Sequence, residues 1–592
     1  MATLAGNTIA STYPLLLKID SSGIDGTLRA VEDGDGTDSA LSIATDSVLV
    51  KGSGVKLYFH DADGGEYISG DGTDLTITSG NDIVLAMGSG GDVYSVGADG
   101  NTGNTIFGKN AFNTSTNNAS DYNTFFGDNA AGNGSVAGAS YNTGIGQLAL
   151  GALTDGDHNV AIGRVAGDAI TTGSSNVIIG SGAGSATVDV DKTVIIGADS
   201  AEANMTSGAD GSIIIGYQAG AAITSAQANV IIGYYAGDAL NTGGDNVAIG
   251  KNALGAATDT GGVVAIGYEA GASVNSNDSN LSVFIGYNAG VGVTSGEHNV
   301  YIGYNAGKDD STGNNNVAIG YSAFDETANA SSENVYIGVG AGGGNDGATA
   351  SDFNVGIGRD AMGGAGMSEA DHNTAVGRES GLALTAGKRN TMVGSASGSG
   401  LQNGDNNCMY GHAAGNDVTS GSNNTFIGKD TNPSTGSHSN QTGLGYQANP
   451  DSDNDIAIGN TSVDEVKGQV DFTTFSDERI KRDIKDGDLG LDFIELLKPR
   501  KFKKVNPAKY PKSIKKKYDG VNNIWTEAQA NKVWDGLIAQ EVKEAMDTCG
   551  TSFSGWNEES NSKQLVGYST MVVPLIKAVQ ELSAKVKALE DA

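Results

Sequence analysis

A short alternation of polar and apolar residues recurs along the middle of this chain. Its clearest copies read "NVAIG", "NVIIG" or "NVYIG" and begin at residues 159, 176, 229, 246, 299, 316 and 334. Weaker copies such as "NTIFG" and "NTFFG" precede them, and "NTAVG" and "NTFIG" follow. The two apolar residues that flank the variable position are two apart, which predicts a short β-strand carrying both on one face.

The glycine that ends each copy gives the period of the repeat. Twenty such glycines can be counted: Gly108, Gly127, Gly146, Gly163, Gly180, Gly197, Gly216, Gly233, Gly250, Gly267, Gly286, Gly303, Gly320, Gly338, Gly358, Gly377, Gly394, Gly411, Gly428 and Gly445. Their spacing is mostly 17 or 19 residues, so one unit is too small to bury a core alone. Such units stack into a solenoid. We therefore expect one continuous Val/Ile seam, a sharp turn at each glycine, and insertions in the loops of one face.

Tyrosines follow several of these glycines and predict an aromatic ladder, interpreted as packing rather than as a glycan platform. They are Tyr217, Tyr234, Tyr268, Tyr287, Tyr304 and Tyr321. The whole pattern resembles the left-handed β-roll in the heads of trimeric autotransporter adhesins, and similar repeats occur in bacteriophage tail fibres. The resemblance covers roughly residues 104–459. It implies three chains packed side by side around an axis, which composition alone does not predict.

Residues 1–100 have a different pattern. Short alternating runs such as "SVLVKGSGVKLYFHDADGGEYISG" are punctuated by Gly-Gly, Asp-Gly and Ser-Gly steps, which are β-hairpin signals. Similar stretches occur near the N-termini of phage fibres, so an all-β attachment region is expected here. "DGDGTD" at 33–38 is similar to a calcium loop, but Ala44 stands where that loop needs glutamate, so we interpret it as a turn.

Composition and charge narrow the class of protein. Of 592 residues, 90 are glycine and only 7 are proline, with no three-residue period, which argues against collagen. The net charge of −34 makes nucleic acid and anionic membranes poor partners. The two cysteines, Cys408 and Cys549, form no disulfide framework or metal motif, and no cofactor is expected. Neither a secretion signal nor a run of 18 apolar residues is found, so no membrane insertion is expected.

The charge is unevenly distributed, and the break marks a domain boundary. Residues 476–592 hold 20 Lys/Arg and 18 Asp/Glu, whereas the residues before them hold 15 and 51. This last region predicts a mixed α/β domain. One helix should end before Pro499, and "GLIAQEVKEAMD" at 536–547 has apolar residues at helical spacing. In the tail, valines and leucines alternate at the a and d positions of a coiled coil: Val572, Leu575, Val579, Leu582, Val586 and Leu589.

Three motifs of this region carry a second resemblance. "SDERIKRDI" at 476–484 is similar to the opening of the intramolecular chaperone domain of endosialidase tailspikes and other phage fibres. "DGLIAQEV" and "YSTMVVPLIKAVQEL" match later motifs of that family in the same order, so the resemblance spans 476–592. In that family the domain drives trimer assembly and then cuts itself off before the serine. The resemblance assigns the nucleophile to Ser476, the base to Lys481, a supporting position to Asp477 and the cut to the Phe475–Ser476 bond.

The proposed chemistry is physically consistent with these residue types. A serine hydroxyl is a weak nucleophile until a base removes its proton, and a lysine can do so only when burial or nearby cations favour its neutral form. Arg479 and Arg482 are candidate cations for that purpose. Taken alone, a serine and a lysine five residues apart are more often a helix cap and a solvated side chain, and the sequence does not reveal the oxyanion donor.

Together these features predict a mainly β, elongated trimeric fibre. Its regions are a β-rich attachment region (1–100), β-roll repeats (101–460), a linker or tip (461–475) and a chaperone domain ending in a coiled coil (476–592). The expected protein is a homotrimeric phage tail fibre, assembled in the host cytoplasm and located in the virion. It would contact tail proteins and a host surface receptor, and its only enzymatic activity would be one self-cleavage.

Three alternatives remain open from the sequence. A cellular trimeric adhesin should carry a secretion signal and a membrane anchor. A fibre with a retained, non-cleaving chaperone would keep the domain as a permanent cap. A polysaccharide-degrading spike should show paired carboxylates in a cleft, for which the repeats offer no obvious room.

Overall fold

A computed structural model describes residues 103–112, 120–275, 281–325, 330–344, 349–364, 366–463, 465–469, 476–514, 525–559 and 562–592. The predicted β-rich region 1–100, with its turn at 33–38, lies outside the described residues. So does part of the predicted linker, including Phe475. None of the described helices has the length and apolar character needed to cross a membrane.

The repeats form a parallel β-solenoid with one strand per coil. Each strand pairs in register with the strand of the next coil, for example Val160 with Val177 and Val177 with Val194. The strands are β1 Thr105–Phe107, β2 Thr124–Phe126, β3 Thr143–Ile145, β4 Val160–Ile162, β5 Val177–Ile179, β6 Val194–Ile196, β7 Ile213–Ile215, β8 Val230–Ile232, β9 Val247–Ile249, β10 Val264–Ile266, β11 Val283–Ile285, β12 Val300–Ile302, β13 Val317–Ile319, β14 Val335–Ile337, β15 Val355–Ile357, β16 Thr374–Val376, β17 Thr391–Val393, β18 Cys408–Tyr410, β19 Thr425–Ile427, β20 Thr442–Leu444 and β21 Ile456–Ile458. The predicted mainly β solenoid is confirmed.

The strand side chains divide between the inside and the outside of the coil. In β2–β20 the middle residue is buried inside the coil, while the first and third residues are partly or fully exposed. The Val/Ile seam is therefore continuous but lies on the outside. The interior of one coil is narrow, so it accepts one inward side chain per strand, and neighbouring coils match their sizes. Gly144 lies beside Phe125, for example, where a Cβ would come within 2.8 Å of the ring.

The repeat glycines have a conformation that other residues avoid. From Gly108 to Gly428 their φ angles lie between +129° and +149°. Gly250 is representative, because a Cβ on it would lie 2.3 Å from the carbonyl oxygen of Gly267 in the next coil. Coils stacked at strand spacing leave no room there for any side chain, which explains the sharp turn predicted at these positions.

Buried asparagines link most coils to the next at the residue before the strand. The Oδ1 atom of Asn142 accepts the backbone N–H of Asn159 at 2.9 Å, and the Oδ1 atom of Asn159 accepts that of Asn176 at 3.1 Å. Their Nδ2 groups also donate to carbonyls fourteen to seventeen residues later, as Asn159 does to Gly173 at 2.8 Å. This ladder pairs backbone groups at a buried corner where the strand has not yet begun.

The predicted tyrosine ladder is present on the surface. The ring centroid of Tyr287 lies 4.7 Å from that of Tyr268 and 5.2 Å from that of Tyr304, and the ring planes are nearly parallel. Lys251 occupies the one coil between Tyr234 and Tyr268 that lacks a tyrosine. Its ammonium lies 5.8 and 5.5 Å from their ring centroids, so a cation–π contact bridges the gap.

The C-terminal region is a small α/β unit. Its elements are α1 Leu491–Leu496, β22 Arg500–Lys503, α2 Glu527–Asn531, β23 Val533–Gly536, α3 Ala539–Thr548, β24 Trp556–Glu558, β25 Gln564–Val566 and α4 Val572–Glu590, with 3₁₀ turns at Glu478–Ile480, Pro507–Lys509 and Ser569–Met571. β22 pairs with β23 and β24 with β25, both antiparallel. The core is formed by Leu489, Phe493, Val542, Ala545, Met546 and Phe553.

The predicted helices of this unit are largely confirmed. α1 ends before Pro499, and the tail forms one continuous helix, α4. The helix expected over 536–547 begins only at Ala539, because Leu537 and Ile538 belong to the extended segment that follows β23. Val542 and Ala545 face the core, as their spacing predicts.

The asparagine ladder generates a stability prediction. Asn159→Leu leaves the Asn176 N–H and the Gly173 carbonyl buried without partners, so we expect the coil to lose about 2–5 kcal/mol of local unfolding free energy. Hydrogen exchange of the amides around β4 and β5 measures this loss. The exposed Asn403 offers the same chemical change, and Asn403→Leu should cost less than about 0.5 kcal/mol. Equal costs at the two sites would contradict the role of the ladder.

One coil holds a buried acid. The Tyr301 hydroxyl donates to Asp310 Oδ2, and the other carboxylate oxygen of Asp310 accepts the Gly313 N–H at 2.9 Å. Both side chains are fully buried. Burial raises the pKa of Asp310 from 3.8 to about 6, although its hydrogen bonds oppose the shift. The folded coil therefore holds a proton on Asp310 more tightly than the unfolded chain does.

This pair generates a pH prediction. The stabilisation from protonated Asp310 is complete below pH 3.8 and is lost as the pH rises through about 6. Relative to Asp310→Asn, the local unfolding free energy of the wild-type coil should therefore increase by about 2 kcal/mol between pH 7 and pH 4. Hydrogen exchange of the coil 299–316 at the two pH values tests this. The half-exposed neighbour Asp309 provides the control. The Asp309→Asn variant and the wild type should show the same dependence of hydrogen exchange on pH.

Candidate active site

Ser476 and Lys481 lie within hydrogen-bonding distance of each other. The Lys481 Nζ atom donates to the Ser476 Oγ atom at 2.7 Å. Between them the 3₁₀ turn Glu478–Ile480 reverses the chain, and Lys481 follows directly as its C-terminal cap. The five-residue spacing therefore becomes a direct contact, which is the arrangement a serine nucleophile and a lysine base require.

Asp477 holds this turn in place. Its carboxylate accepts the Arg479 N–H at 2.8 Å, which caps the 3₁₀ turn. It also forms an ion pair with the Arg479 guanidinium at 2.7 Å, and this side-chain contact is the main reason why the pKa of Asp477 is lowered. The contacts of Asp477 are to the turn itself, so its role is to position the residues on either side.

The segment around the dyad is exposed in the single chain. Every residue from 476 to 488 is exposed, including the apolar Ile480 and Ile484. Arg479 is paired with Asp477, and the Arg482 side chain is 96% exposed, 3.9 Å from Asp483. The two arginines expected to assist the lysine are therefore a turn partner and a solvated side chain. Phe475, the other side of the predicted cut, lies outside the described residues.

The two later motifs contact each other in the folded domain. The Leu537 N–H, in the motif before α3, donates to the hydroxyl oxygen of Tyr568 at 2.7 Å. Arg500 on β22 makes a two-point ion pair with Glu541 on α3, with distances of 2.6 and 3.1 Å. This guanidinium lowers the pKa of Glu541. Segments far apart in the sequence thus meet around the core that contains Phe493 and Phe553.

Comparison with known protein families gives one match. Residues 476–551 match the family model described as the chaperone of endosialidase, and the match begins at Ser476. The C-terminal region carries a chaperone-of-endosialidase domain. A comparison with curated protein sequences finds no match for this chain. The family match stops before α4, so the part of the predicted resemblance from 552 to 592 rests on the sequence motif alone.

The tail helix of the C-terminal region, α4, is joined to α1 by Glu581. The Glu581 carboxylate on α4 accepts the Leu491 N–H at 2.7 Å, and Lys577 lies 2.9 Å from the same carboxylate. The residue before α1 is Gly490, which has no side chain to cap the helix. Glu581 therefore caps α1 from another helix, and the Leu491 amide is the first cause of its lowered pKa.

Sequence reasoning missed Glu581, Tyr568 and the Arg500–Glu541 pair. Glu581 lies among polar heptad positions, where a solvent-facing side chain is the ordinary expectation, and its partner lies ninety residues away. Tyr568 was part of a recognised motif, but no local pattern indicates that its hydroxyl meets Leu537.

The cap generates a prediction for the chaperone domain. Glu581→Ala should leave the first turn of α1 without an acceptor, so the amides of Leu491–Leu496 should exchange faster with solvent in the full chain. Lys577→Ala is the matched control, because it removes only the ion pair and should leave this exchange nearly unchanged. In wild type the cap should persist below pH 4.5, the ordinary pKa of glutamate, because the folded pKa is lowered. Unchanged exchange in Glu581→Ala would contradict the cap.

Proposed function

We propose that this chain is the subunit of a homotrimeric bacteriophage tail fibre that contacts the host surface. Its C-terminal domain would direct assembly and then release itself by cleaving the Phe475–Ser476 bond. The observation that carries the proposal is the 2.7 Å contact between Ser476 and Lys481 at the first residue of a chaperone-of-endosialidase domain. The solenoid before this domain supports a fibre.

The exposed face of α4 supports association of the chain with copies of itself, and its valines at the a positions are compatible with dimers as well as with the proposed trimer. The heptad residues of this helix are between 45% and 79% exposed in the single chain, namely Val572, Leu575, Val579, Leu582, Val586 and Leu589. Apolar a and d positions of a coiled coil are buried only when further helices pack against them. Copies of α4 would supply those helices and bring three chaperone domains together.

The cleavage would follow ordinary acyl-transfer chemistry. Ser476 Oγ attacks the carbonyl carbon of Phe475 while Lys481, in its neutral form, takes the hydroxyl proton. The peptide C–N bond then breaks, and the proton passes from Lys481 to the nitrogen of Ser476. Water hydrolyses the resulting ester, which restores the hydroxyl and leaves a carboxylate on Phe475. Ser476 becomes the N-terminus of the released domain.

We further propose that cleavage follows assembly. Residues 476–488 are exposed in the single chain, whereas a lysine acts as a general base more readily when it is shielded from water. Neighbouring chains that cover Ile480 and Ile484 would also enclose the dyad and exclude water. Loss of the chaperone would then leave the completed fibre in a kinetic trap.

The remaining parts of the chain would have separate tasks. Residues 1–100 would bind the phage tail, and the repeats would form the shaft. Residues 445–475, exposed at the end of the fibre after cleavage, would be a tip for contact with a receptor. Cross-links from host glycans confined to the middle of the shaft would contradict this assignment of the tip.

Intact mass under denaturing conditions tests the proposal. Wild type should give two fragments divided between Phe475 and Ser476, and Ser476→Ala should give one uncut chain. Lys481→Arg should also stay uncut, because arginine keeps the charge but cannot act as a base. The exposed Lys485 is the matched control, and Lys485→Arg should be cut like wild type.

Two results would change the assignment. An uncut wild-type trimer would make the domain a retained cap and leave the assembly role standing. Cleavage that persists in Ser476→Ala would identify a different nucleophile.

A further inference from the structure

The outer face of the solenoid carries an apolar band that the proposed function does not explain. We call it the outer stripe and define it as the first and third residues of strands β1–β20. The first position is valine, isoleucine or threonine except at Cys408 in β18. The third is aliphatic or aromatic throughout, with Phe107 64% and Tyr410 58% exposed.

The outer stripe contains no charge. The chain before Ser476 has 15 Lys/Arg and 51 Asp/Glu, about one residue in seven, yet none occupies any of the 40 stripe positions. The charges lie instead on the remaining parts of each coil. Exposed apolar surface that is continuous and free of charge marks an interaction site.

The outer stripe is large enough for a stable interface. Twenty coils at about 4.8 Å each give a length of roughly 95 Å, and two residue columns are about 10 Å wide with their side chains. The resulting area of roughly 900 Å² per chain, shared between two neighbours in a trimer, gives roughly 2,700 Å² for three chains, compared with about 1,600 Å² in a standard two-chain interface.

Electrostatics favours copies of this chain as the occupant. Two chains with such an acidic repeat region repel each other on any face that carries carboxylates. The outer stripe is the face along which they can approach without bringing acidic residues together. A partner of the same chain also has a stripe of the same length and the same two-column pattern.

We infer that the outer stripe is the surface along which copies of the solenoid pack on one another, parallel and with equivalent coils at equal height. The inference rests on the homotrimer proposed above, and it adds which surface of the shaft is buried. It also explains why the Val/Ile seam is conspicuous in the sequence although it lies outside the coil.

A cysteine in the outer stripe provides the test. Cys408 is exposed in the single chain, and Cys549 is the only other cysteine. In Cys549→Ser protein, the packing inferred here should bring Cys408 residues of neighbouring chains together. A short bis-maleimide should then link two chains, and a bulky maleimide should fail to label Cys408 until the protein is denatured.

The matched control moves the thiol to another face of the same coil. Ser420 is exposed in a loop away from the strand. The variant with Cys549→Ser, Cys408→Ser and Ser420→Cys should be labelled rapidly in the native protein and should give no linked chains. Ile249→Glu in the outer stripe should weaken association of the shaft, whereas Thr242→Glu in an exposed loop should not.

Light scattering on the same samples gives the number of chains and so distinguishes failure of the proposed homotrimer from failure of the inferred packing surface. A monomer would overturn both the homotrimer and the inference. A trimer in which native Cys408 reacts as fast as Ser420→Cys would overturn the inference alone and leave the homotrimer standing. A trimer with protected, cross-linkable Cys408 supports both.

Discussion

The hydrogen bonds of the buried asparagines are the interaction on which the solenoid depends. Each coil turns a corner before its strand, and there its backbone groups face the interior instead of a neighbouring strand. The amide side chain of Asn159 fits this place because it accepts from the next coil and donates across its own coil. The glycine after the strand lets the next coil approach at the same distance. With both constraints satisfied, a coil of about 17 residues needs only a few apolar side chains inside.

The sequence predicts the length of each coil better than it predicts which side chains point into the coil. The recurring glycines reveal the coil length because each one relieves the same backbone clash. Strand alternation defines two faces but does not say which one is enclosed. The spacing of valine and isoleucine places both on one face without indicating whether that face is buried, and the interior holds the variable residue, from Gly144 to Tyr301. That position varies because each side chain fits the size of its neighbours in adjacent coils.

In the C-terminal domain, local contacts could be predicted from the sequence better than contacts between distant segments. The Ser476–Lys481 contact is local, because one 3₁₀ turn capped by Asp477 joins the two residues, but only the family resemblance singles them out in the sequence. The Glu581 cap on α1 could not be predicted, because it joins helices ninety residues apart. The groups that would enclose the Ser476–Lys481 pair could not be predicted either, because in the proposed assembly they come from other chains.

The uniformity of the repeats has a consequence for how the fibre reaches one final form. If one solenoid slid along another by a single coil, every contact except that of one end coil would be replaced by an equivalent one. Slipped and aligned fibres would therefore differ little in energy, and a solenoid alone would have almost no means of correcting an error of alignment. The alignment of the coils must therefore be set by a part of the chain outside the repeats. A domain that holds the three chain ends level before the coils zip together would supply that information once, and the finished shaft would have no further use for it.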